Sequence, residues 1–342
     1  MRYLIFLLLS FVFAWTLHAT EFNSYKLTSE AELKENYLTT ISPYFYQHKI
    51  HYFYTKESLK IAYKIFEVKD AKASIVISSG RTEGMVKYQE LIYDLNNNGY
   101  SVYILDHRGQ GYSQRLLDDL QIGHVNDFFN YVRDLKYFVD KVVPQNQKKV
   151  LLAHSMGGAI ASLYLESYPR DFDALVLSSP MHQPSLLGNT FSGALCRFIE
   201  NRTNDLQEYM IGMHSYDETK HAFKNNNYTH SEVRYDIMRD AYEREPLTKI
   251  GGASAGWLVE ACKWSKLSVQ NASEIQIPVL LLQAQRDKIV TSGAQVKFCK
   301  NLGTACELKV IKEAYHELFI EQDIYREEAL KAILEFLTKT LH

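Results

Sequence analysis

The chain has 342 residues, 46% of them hydrophobic and 13% aromatic, which is enough for one large α/β domain with an insertion and a substantial core. Its 38 Lys and Arg nearly balance its 40 Asp and Glu, so the formal net charge at pH 7 is −2. The surface as a whole therefore offers no field for a polyanion, and nucleic acid is not expected as a partner.

Residues 1–19 have the pattern of a secretory signal peptide. Arg2 is followed by the uncharged apolar run Tyr3–Leu17 and then by the small residue Ala19 at the expected cleavage point. We predict that the chain is exported and is periplasmic or associated with the inner membrane. The run has 15 residues. Because a bilayer core needs about 20, cleavage is favoured, and an uncleaved anchor stays open.

The four cysteines all lie in the region that is expected to be exported, where disulfides persist. Three pairings of Cys196, Cys262, Cys299 and Cys306 are possible. The short loop between Cys299 and Cys306 is the favoured bridge, because it would tie a helix end to the following strand. Cys196 and Cys262 would then both lie in the inserted segment. Four free, buried thiols are the alternative.

Residues 20–47 are predicted to form an N-terminal arm, in which Ser29 and Glu32 make a capping box that opens a short helix. From His51 the pattern gives a strand, a turn and a second strand to Val68, and then apolar strands alternate with amphipathic helices. The alternating segments are 73–78, 86–95, 101–105, 125–142, 150–153, 159–168, 174–177, 279–282, 294–300, 308–311 and 325–341. This alternation is typical of a mostly parallel central sheet flanked by helices on both faces.

The alternation stops between Pro180 and Ile275, a gap far longer than the ~2–6 residues of an ordinary strand-to-helix connection. We predict that residues 48–180 and 272–342 form the core and that residues 181–271 form an inserted helical cap. The cap holds ten aromatic residues, and its ten Lys and Arg balance eleven Asp and Glu. This composition suits a lid over an apolar pocket, and a core internal to the cap is the alternative. The aromatic residues singled out are Phe191, Phe198, Tyr209, Trp257 and Trp264.

One short motif carries the strongest chemical signal in the sequence. The segment Ala153–Gly158 (AHSMGG) lies between the apolar run Val150–Leu152 and the helical stretch Ala159–Leu165. This is the context of a nucleophile elbow, in which a serine sits at the tip of a buried strand and its neighbours must be small. Ala153 replaces the first glycine of the usual G-x-S-x-G pattern. We predict that Ser155 is a nucleophile, and a chance turn of small residues is the alternative.

A serine nucleophile needs a base, and that base needs a carboxylate to orient it. With this type of elbow, the acid and the histidine follow the serine in that order, on loops after later strands. Asp287 follows the strand predicted at 279–282, and His316 follows the strand predicted at 308–311. We therefore predict Asp287 as the orienting acid and His316 as the base, although either alone could be an ordinary loop residue. His154 should point away from the nucleophile, because side chains alternate along a strand, and is expected to pack.

Acyl transfer also requires backbone N–H donors for an oxyanion. The residue after the nucleophile, Met156, supplies the first predicted donor. The segment Ser78–Glu83 occupies the first long loop after a strand, and Gly80 lets the chain turn so that the Arg81 amide points inward. A plain glycine turn is the alternative, and the Arg81 side chain could either reach a phosphate or stay solvated.

No metal or organic cofactor is predicted. The segment His107–Gly111 follows a strand, but it lacks the lysine and the spacing of a phosphate-binding P-loop and does not match a dinucleotide fingerprint. His316 and Glu317 lack the second histidine of a zinc-binding His-Glu-x-x-His pair.

The motifs together resemble the bacterial inner-membrane lysophospholipase family, relatives of the monoacylglycerol lipases within the α/β-hydrolases. The similarity extends from about Ile75 to the end of the chain. The segments that carry it are Ser79–Tyr88, Asp106–Gly111, Ala153–Gly158, Leu282–Ala284, Ala314–Glu317 and, in the cap, Gly251-Gly252 with Trp257. The resemblance implies an α/β-hydrolase fold and the same five site residues, namely Ser155, His316, Asp287 and the amides of Arg81 and Met156. Ser79 stands where monoacylglycerol lipases have histidine, which favours the lysophospholipase branch.

The favoured hypothesis is a serine hydrolase that cleaves the acyl ester of a lysophospholipid or similar monoacyl lipid through an acyl-enzyme, at a membrane surface. A monoacylglycerol lipase or a short-chain carboxylesterase is the alternative enzyme. A catalytically inactive lipid-binding protein is the alternative from another class. Head group, acyl length and oligomeric state are left open by the sequence.

Overall fold

The computed structural model describes residues 25–186, 206–217 and 222–341, together with the single positions 194, 196, 198 and 219. The predicted signal peptide, residues 1–19, lies outside the described residues, so export stays a prediction. Among the helices of the described part, none is both long and apolar enough to cross a membrane.

Eight strands of the described chain form one sheet. They are β1 His51–Tyr54, β2 Lys60–Phe66, β3 Ser74–Ser78, β4 Ser101–Leu105, β5 Lys149–His154, β6 Ala174–Ser178, β7 Val279–Ala284 and β8 Cys306–Ile311. Their order across the sheet is β1-β2-β4-β3-β5-β6-β7-β8. Strands β3 to β8 pair in parallel, whereas β2 is antiparallel to both β1 and β4. The mostly parallel sheet predicted from the sequence is confirmed.

The helices of the described chain lie between these strands and at both ends. They are α1 Glu30–Asn36, α2 Ser42–Gln47, α3 Gln89–Asn97, α4 Phe129–Val142, α5 Met156–Ser167, α6 Glu232–Arg244, α7 Ala255–Gln270, α8 Ser292–Leu302 and α9 Asp323–Leu341. A π-helical turn, Tyr37–Ile41, joins α1 to α2. Short 3-10 turns are Met85–Tyr88, Phe223–Asn225, Pro246–Thr248, Ala272–Glu274, Gly303–Ala305 and Leu318–Ile320.

The central strands are buried on both faces, which is why they are apolar throughout rather than alternating. In β5, Leu151 and Ala153 join a cluster with side chains of α4, α5 and α8 on one face. Val150 and Leu152 join a second cluster with side chains of α3 and α9 on the other. Successive side chains of a strand point to opposite faces, so one apolar run supplies both cores.

The long segment between β6 and β7 contains α6 and α7. Within this segment, a disulfide joins Cys196 to Cys262 of α7. A second disulfide joins Cys299, near the end of α8, to Cys306, the first residue of β8. The structure therefore has the favoured pairing, and the alternative of four free thiols is wrong. The boundaries given for arm, core and cap stay predictions.

The N-terminal arm packs on the body through specific contacts. The predicted capping box is present, because the Ser29 hydroxyl accepts from the Glu32 amide at 3.2 Å and the Glu32 carboxylate accepts from the Ser29 amide at 2.9 Å. Farther along, the Tyr44 hydroxyl donates to the Asn96 side chain of α3 at 2.7 Å.

A buried ion-pair network joins α6 to the core. Arg234 of α6 pairs with Glu90 of α3 at 3.0 Å and with Asp323 of α9 at 2.8 Å. Arg326 of α9 pairs with the same Glu90 at 3.2 Å and with Asp94 at 2.7 Å. Both guanidinium groups are buried, so removing either would leave a carboxylate short of its partner in a site with little water.

We expect Arg234→Met to lower the free energy of unfolding by about 3–5 kcal/mol, the cost typical of breaking a buried pair. Methionine keeps much of the side-chain volume, so the loss reports the charge rather than a cavity. Denaturant titration followed by circular dichroism measures it. Arg133→Met is the control, because its pair with Asp127 is exposed and such pairs contribute at most about 1 kcal/mol. Equal losses in the two variants would contradict the stabilising role of the network.

Candidate active site

Ser155 lies in the turn between β5 and α5. Its backbone has φ +51° and ψ −118°, a conformation that residues other than glycine rarely adopt. The Ser155 amide donates to the Ser178 carbonyl at 3.1 Å, and its own carbonyl accepts from the Met181 amide at 2.8 Å. These bonds hold the strained turn in place at the end of the strand, as a nucleophile elbow requires.

The small residues of the motif are required by close approach of backbones. A Cβ added to Gly157 would lie 2.1 Å from the Ser78 carbonyl oxygen, and one added to Gly158 would lie 2.4 Å from Pro180. Ala153, which departs from the usual glycine, is fully buried in the core of one face. The elbow therefore depends on the two glycines after the serine and tolerates alanine before it.

The structure brings together the three residues predicted from three distant segments. His316 Nε2 lies 2.9 Å from Ser155 Oγ, and His316 Nδ1 lies 2.7 Å from Asp287 Oδ2. The other carboxylate oxygen of Asp287 accepts from the amides of Ile289 at 2.8 Å and Val290 at 3.1 Å. The carboxylate is thus fixed by backbone donors, and it orients the ring so that Nε2 faces the serine.

The surroundings of His316 stabilise its charged form. Burial alone would lower the pKa of the imidazole, but the charge and hydrogen bond of Asp287, with the nearby carboxylates of Glu317 and Glu83, outweigh burial and raise that pKa. A base with a raised pKa binds the proton from a serine hydroxyl more strongly. The arrangement suits proton transfer from Ser155 to His316.

The two predicted oxyanion donors are the amides of Met156, which directly follows Ser155, and of Arg81, which lies in the loop after β3. Met156 is the first residue of α5, where backbone amides have no partner within the helix. In the part of the chain that the structure describes, neither amide donates to a protein acceptor. Both are therefore available to an oxygen beside Ser155.

The loop that carries Arg81 is held by side chains that the sequence analysis did not single out. The Gly80 amide donates to Glu83 at 2.6 Å. Gln110 donates to the carbonyls of Gly80 at 2.7 Å and Glu83 at 3.1 Å, and its side-chain oxygen accepts from the Thr82 amide at 3.2 Å. The segment rejected as a phosphate loop is thus a brace for the loop that presents Arg81.

A buried charged cluster underlies the site. Lys87 lies 2.7 Å from Glu83 and 2.5 Å from Glu317, which follows His316. The His154 ring lies 4.8 Å from the His316 ring, and its Nε2 is 3.1 Å from Glu317. His154 packs, as expected, and the ring that it packs against is that of the base, His316. The spacing of Glu83 and Lys87, four residues apart, is the one signal that could have indicated an ion pair.

His154, His316 and Glu317 place three ligand atoms within 4.8 Å of one another, which is the metal-like cluster found among the described residues. Both ring nitrogens of His316 are occupied by Ser155 and Asp287. Glu317 already faces the Lys87 ammonium, and that cation lowers the pKa of Glu317 well below its usual range despite burial. Because the ligand atoms of His316 and Glu317 are already engaged, the cluster does not fit a metal ion.

A cavity of about 450 Å³ opens beside Ser155 and His316. The aromatic residues that line it are four tyrosines, Tyr216, Tyr228, Tyr235 and Tyr242. None of the aromatic residues singled out from the sequence is among the described lining.

Those residues lie elsewhere. The Trp257 side chain is buried, Trp264 packs on Phe129 with ring centroids 5.2 Å apart, and Phe198 is exposed. Phe191 lies outside the described residues. The composition of residues 181–271 gives the number of aromatic residues but does not show which of them face the cavity.

The cavity is also more polar than expected. Arg81, Arg239 and Lys249 contribute cations to its lining, and carboxylates of Glu83, Asp217 and Glu317 contribute anions. The lining therefore combines apolar surface with charged and phenolic groups. Charged and phenolic groups reach the space next to the serine, where they can contact a polar part of a ligand.

Comparison with known proteins agrees with this geometry. The profile of the Hydrolase_4 family, described as serine aminopeptidase S33, matches residues 69–323. The chain belongs to the Hydrolase_4 family of α/β-hydrolases. Over 297 residues it is 35% identical to lysophospholipase L2 of Escherichia coli K12, a match that covers 83% of this chain and 85% of that protein.

More distant Hydrolase_4 relatives agree. The chain is 28% identical over 255 residues to human monoglyceride lipase, covering 73% of this chain and 77% of that protein. The crystal structure of Paleococcus ferrophilus monoacylglycerol lipase superposes with a TM-score of 0.65 at 23% identity, covering 82% of this chain and 99% of that one. The resemblance inferred from the motifs and the α/β-hydrolase fold class are both confirmed.

We expect Glu317→Gln to shift the reactivity of Ser155 to lower pH. The Glu317 charge helps to raise the pKa of His316, so removing it lets the imidazole lose its proton at lower pH and act as a base there. The measurement is the rate of a nitrophenyl ester reaction, or of fluorophosphonate labelling, against pH.

Glu313→Gln is the matched control, because Glu313 precedes His316 by three residues but forms an exposed pair with Arg286. For Glu313→Gln, the low-pH part of the plot of rate against pH, its acid limb, should coincide with that of the unmodified protein. An acid limb that stays in place or moves to higher pH in Glu317→Gln would show that the buried carboxylate does not act on the base.

Proposed function

We propose that the protein is a serine hydrolase that cleaves the acyl ester of lysophospholipids or similar monoacyl lipids. The observation that carries the proposal is the hydrogen-bonded row Ser155–His316–Asp287, which opens into a 450 Å³ cavity. We assign the backbone amides of Arg81 and Met156, which have no protein acceptor among the described residues, as the oxyanion donors. This combination supplies a nucleophile, a base and donors for a developing oxyanion.

The reaction would proceed in two balanced steps. In the first, His316 takes the Ser155 proton as Oγ attacks the ester carbonyl carbon, and the oxyanion accepts from the two amides. Collapse breaks the ester bond, and His316 returns the proton to the departing glycerol oxygen. In the second, water loses a proton to His316 as it attacks the acyl carbon, the bond from that carbon to Ser155 Oγ breaks, and His316 returns the proton to Oγ, which releases the fatty acid and free serine. No step draws on a cofactor.

The names of the relatives support an ester of a monoacyl lipid. Lysophospholipase L2 and monoglyceride lipase both have names that refer to a single acyl chain on a glycerol-based lipid. Monoacylglycerol hydrolysis is therefore the second candidate. A fold match to a carboxyl esterase from Bacillus coagulans, at 16% identity, leaves the short-chain esterase as a third. Chain-length profiling separates it, because each buried methylene adds about 0.8 kcal/mol only where a long acyl site exists.

We expect Ser155→Ala to lower hydrolysis of lysophospholipid by about 10⁴-fold or more, because the nucleophile is lost while the fold is kept. Mass spectrometry of lipids before and after incubation measures the loss. Ser167→Ala, at the far end of α5, is the control and should keep the full rate. Near-normal turnover by Ser155→Ala would overturn the assignment of Ser155 as the nucleophile. Failure of a fluorophosphonate to label Ser155, with no ester cleaved by the unmodified protein, would favour the inactive lipid-binding alternative.

The proposal includes contact with a membrane surface during substrate capture. Ile211 is 93% exposed and Leu247 is 77% exposed, and each is within two residues of a side chain that lines the cavity. Large apolar side chains exposed beside a lipid site would favour contact with acyl chains at an interface.

We expect the pair of changes Ile211→Ser and Leu247→Ser to weaken binding to phospholipid vesicles, measured by co-sedimentation. Ile324→Ser is the matched control, because Ile324 is 72% exposed on α9 and does not line the cavity. Equal vesicle binding by all three proteins would remove these two residues from the membrane contact.

A further inference from the structure

The Arg81 side chain is a cation of the cavity that the proposed reaction does not use. Its backbone amide is a proposed oxyanion donor, but the guanidinium makes separate contacts, with one N–H donating to the Gly251 carbonyl at 3.4 Å. The group also stacks over the Trp257 ring at 5.3 Å. Within the described part of the chain, no carboxylate is among the groups that act on its charge.

The fully buried arginines of the described chain have carboxylate partners, whereas Arg81 is half-buried. Arg108 binds Asp134 through two hydrogen bonds, at 2.7 and 2.8 Å. Arg234 and Arg326 share Glu90. Burial lowers the pKa of Arg81, although the guanidinium keeps its proton. Arg81 is half-buried and its charge has no carboxylate partner among the described residues, so a ligand in the cavity could supply the missing negative charge.

The remaining cations of the cavity lining are already engaged. Lys87 is held between two carboxylates, and Lys249 lies 2.5 Å from Glu243. Arg239 donates to the Tyr216 hydroxyl at 2.8 Å. Arg81 is therefore the cationic side chain best placed to meet an anion in the space beside Ser155.

We propose that the Arg81 guanidinium binds the phosphodiester of the substrate and so selects lysophospholipids over neutral monoacyl lipids. The inference rests on the proposed function. In a lysophospholipid only glycerol carbons separate the ester from the phosphodiester, so both groups fit within one cavity that presents Ser155 and Arg81. A guanidinium has five N–H donors in a planar fork that matches two phosphate oxygens.

The test compares two substrates with the same acyl chain, oleoyl lysophosphatidylcholine and monooleoylglycerol, in the same detergent. We expect Arg81→Met to lower the ratio of kcat/KM for the phospholipid to that for the glyceride by about 10- to 100-fold, mainly through KM. Using the ratio removes any disturbance of the backbone amide, because that would reduce both reactions. Arg81→Lys should retain part of the ratio, since it keeps the charge without the fork.

Lys249→Met is the matched control. It removes a cation from the same lining, but one that Glu243 already neutralises, so the ratio should stay close to that of the unmodified protein. Equal losses on both substrates in Arg81→Met, or an equally large fall of the ratio in Lys249→Met, would overturn the role assigned to Arg81.

Inorganic phosphate distinguishes a lipid phosphodiester from free phosphate. In one outcome, phosphate inhibits hydrolysis of both substrates, and Arg81→Met removes this inhibition without changing the ratio of the two kcat/KM values. That outcome would assign the Arg81 site to free phosphate and overturn its role in substrate selection. Fluorophosphonate labelling of Arg81→Met checks that Ser155 is intact. Failure of the proposed function would instead appear as activity retained in Ser155→Ala, or as neither ester being cleaved by the unmodified protein.

Discussion

The parallel pairing of β3 to β8 is the constraint on which the site depends. Parallel strands present their carboxyl ends at one edge of a sheet, and each reactive group lies just beyond such an end. Ser155 follows β5, Asp287 follows β7, His316 follows β8 and Arg81 follows β3. Ser155 and His316, 161 positions apart, therefore meet within hydrogen-bond distance. Because the strands are buried on both faces, the register that brings these ends together is fixed by the two apolar cores rather than by the polar groups themselves.

Beneath the reacting groups, the buried ammonium of Lys87 is shared by the carboxylates of Glu83 and Glu317. Lys87, Glu83 and Glu317 lose most of their hydration, and their mutual attraction offsets that loss. The cluster joins the loop that presents the Arg81 amide to the residue after His316. It therefore couples the donor side of the site to the base side, so that the two are held as one unit. A site assembled from separate loops needs such a link, because errors of about 1 Å in position are costly in catalysis.

Much of the fold and the central row of the site could be predicted from the sequence, because their signals are local. Apolar runs marked strands such as β7, and small residues marked the elbow around Ser155. The partners Asp287 and His316 were found by their order after later strands. Glu83 and Glu317 were not found as a pair, since their contact through Lys87 depends on packing between distant loops. The charged groups of the cavity lining were not found for the same reason. A count of aromatic residues carries no information on which side of the segment faces Ser155.

The ion pairs of Arg234 hold helix α6, which forms one wall of the cavity, against the core of the protein. Helix α6 is fastened to α3 and α9 by charges that are costly to separate in a dry interior. Residues 212–217, which also line the cavity, are held by hydrogen bonds, among them the one from the Gly252 amide to the His214 carbonyl at 2.9 Å and the one from Arg239 to the Tyr216 hydroxyl at 2.8 Å. Local opening is drawn from the least stable elements of a structure. The α6 side of the cavity is therefore the side expected to move least when a ligand binds.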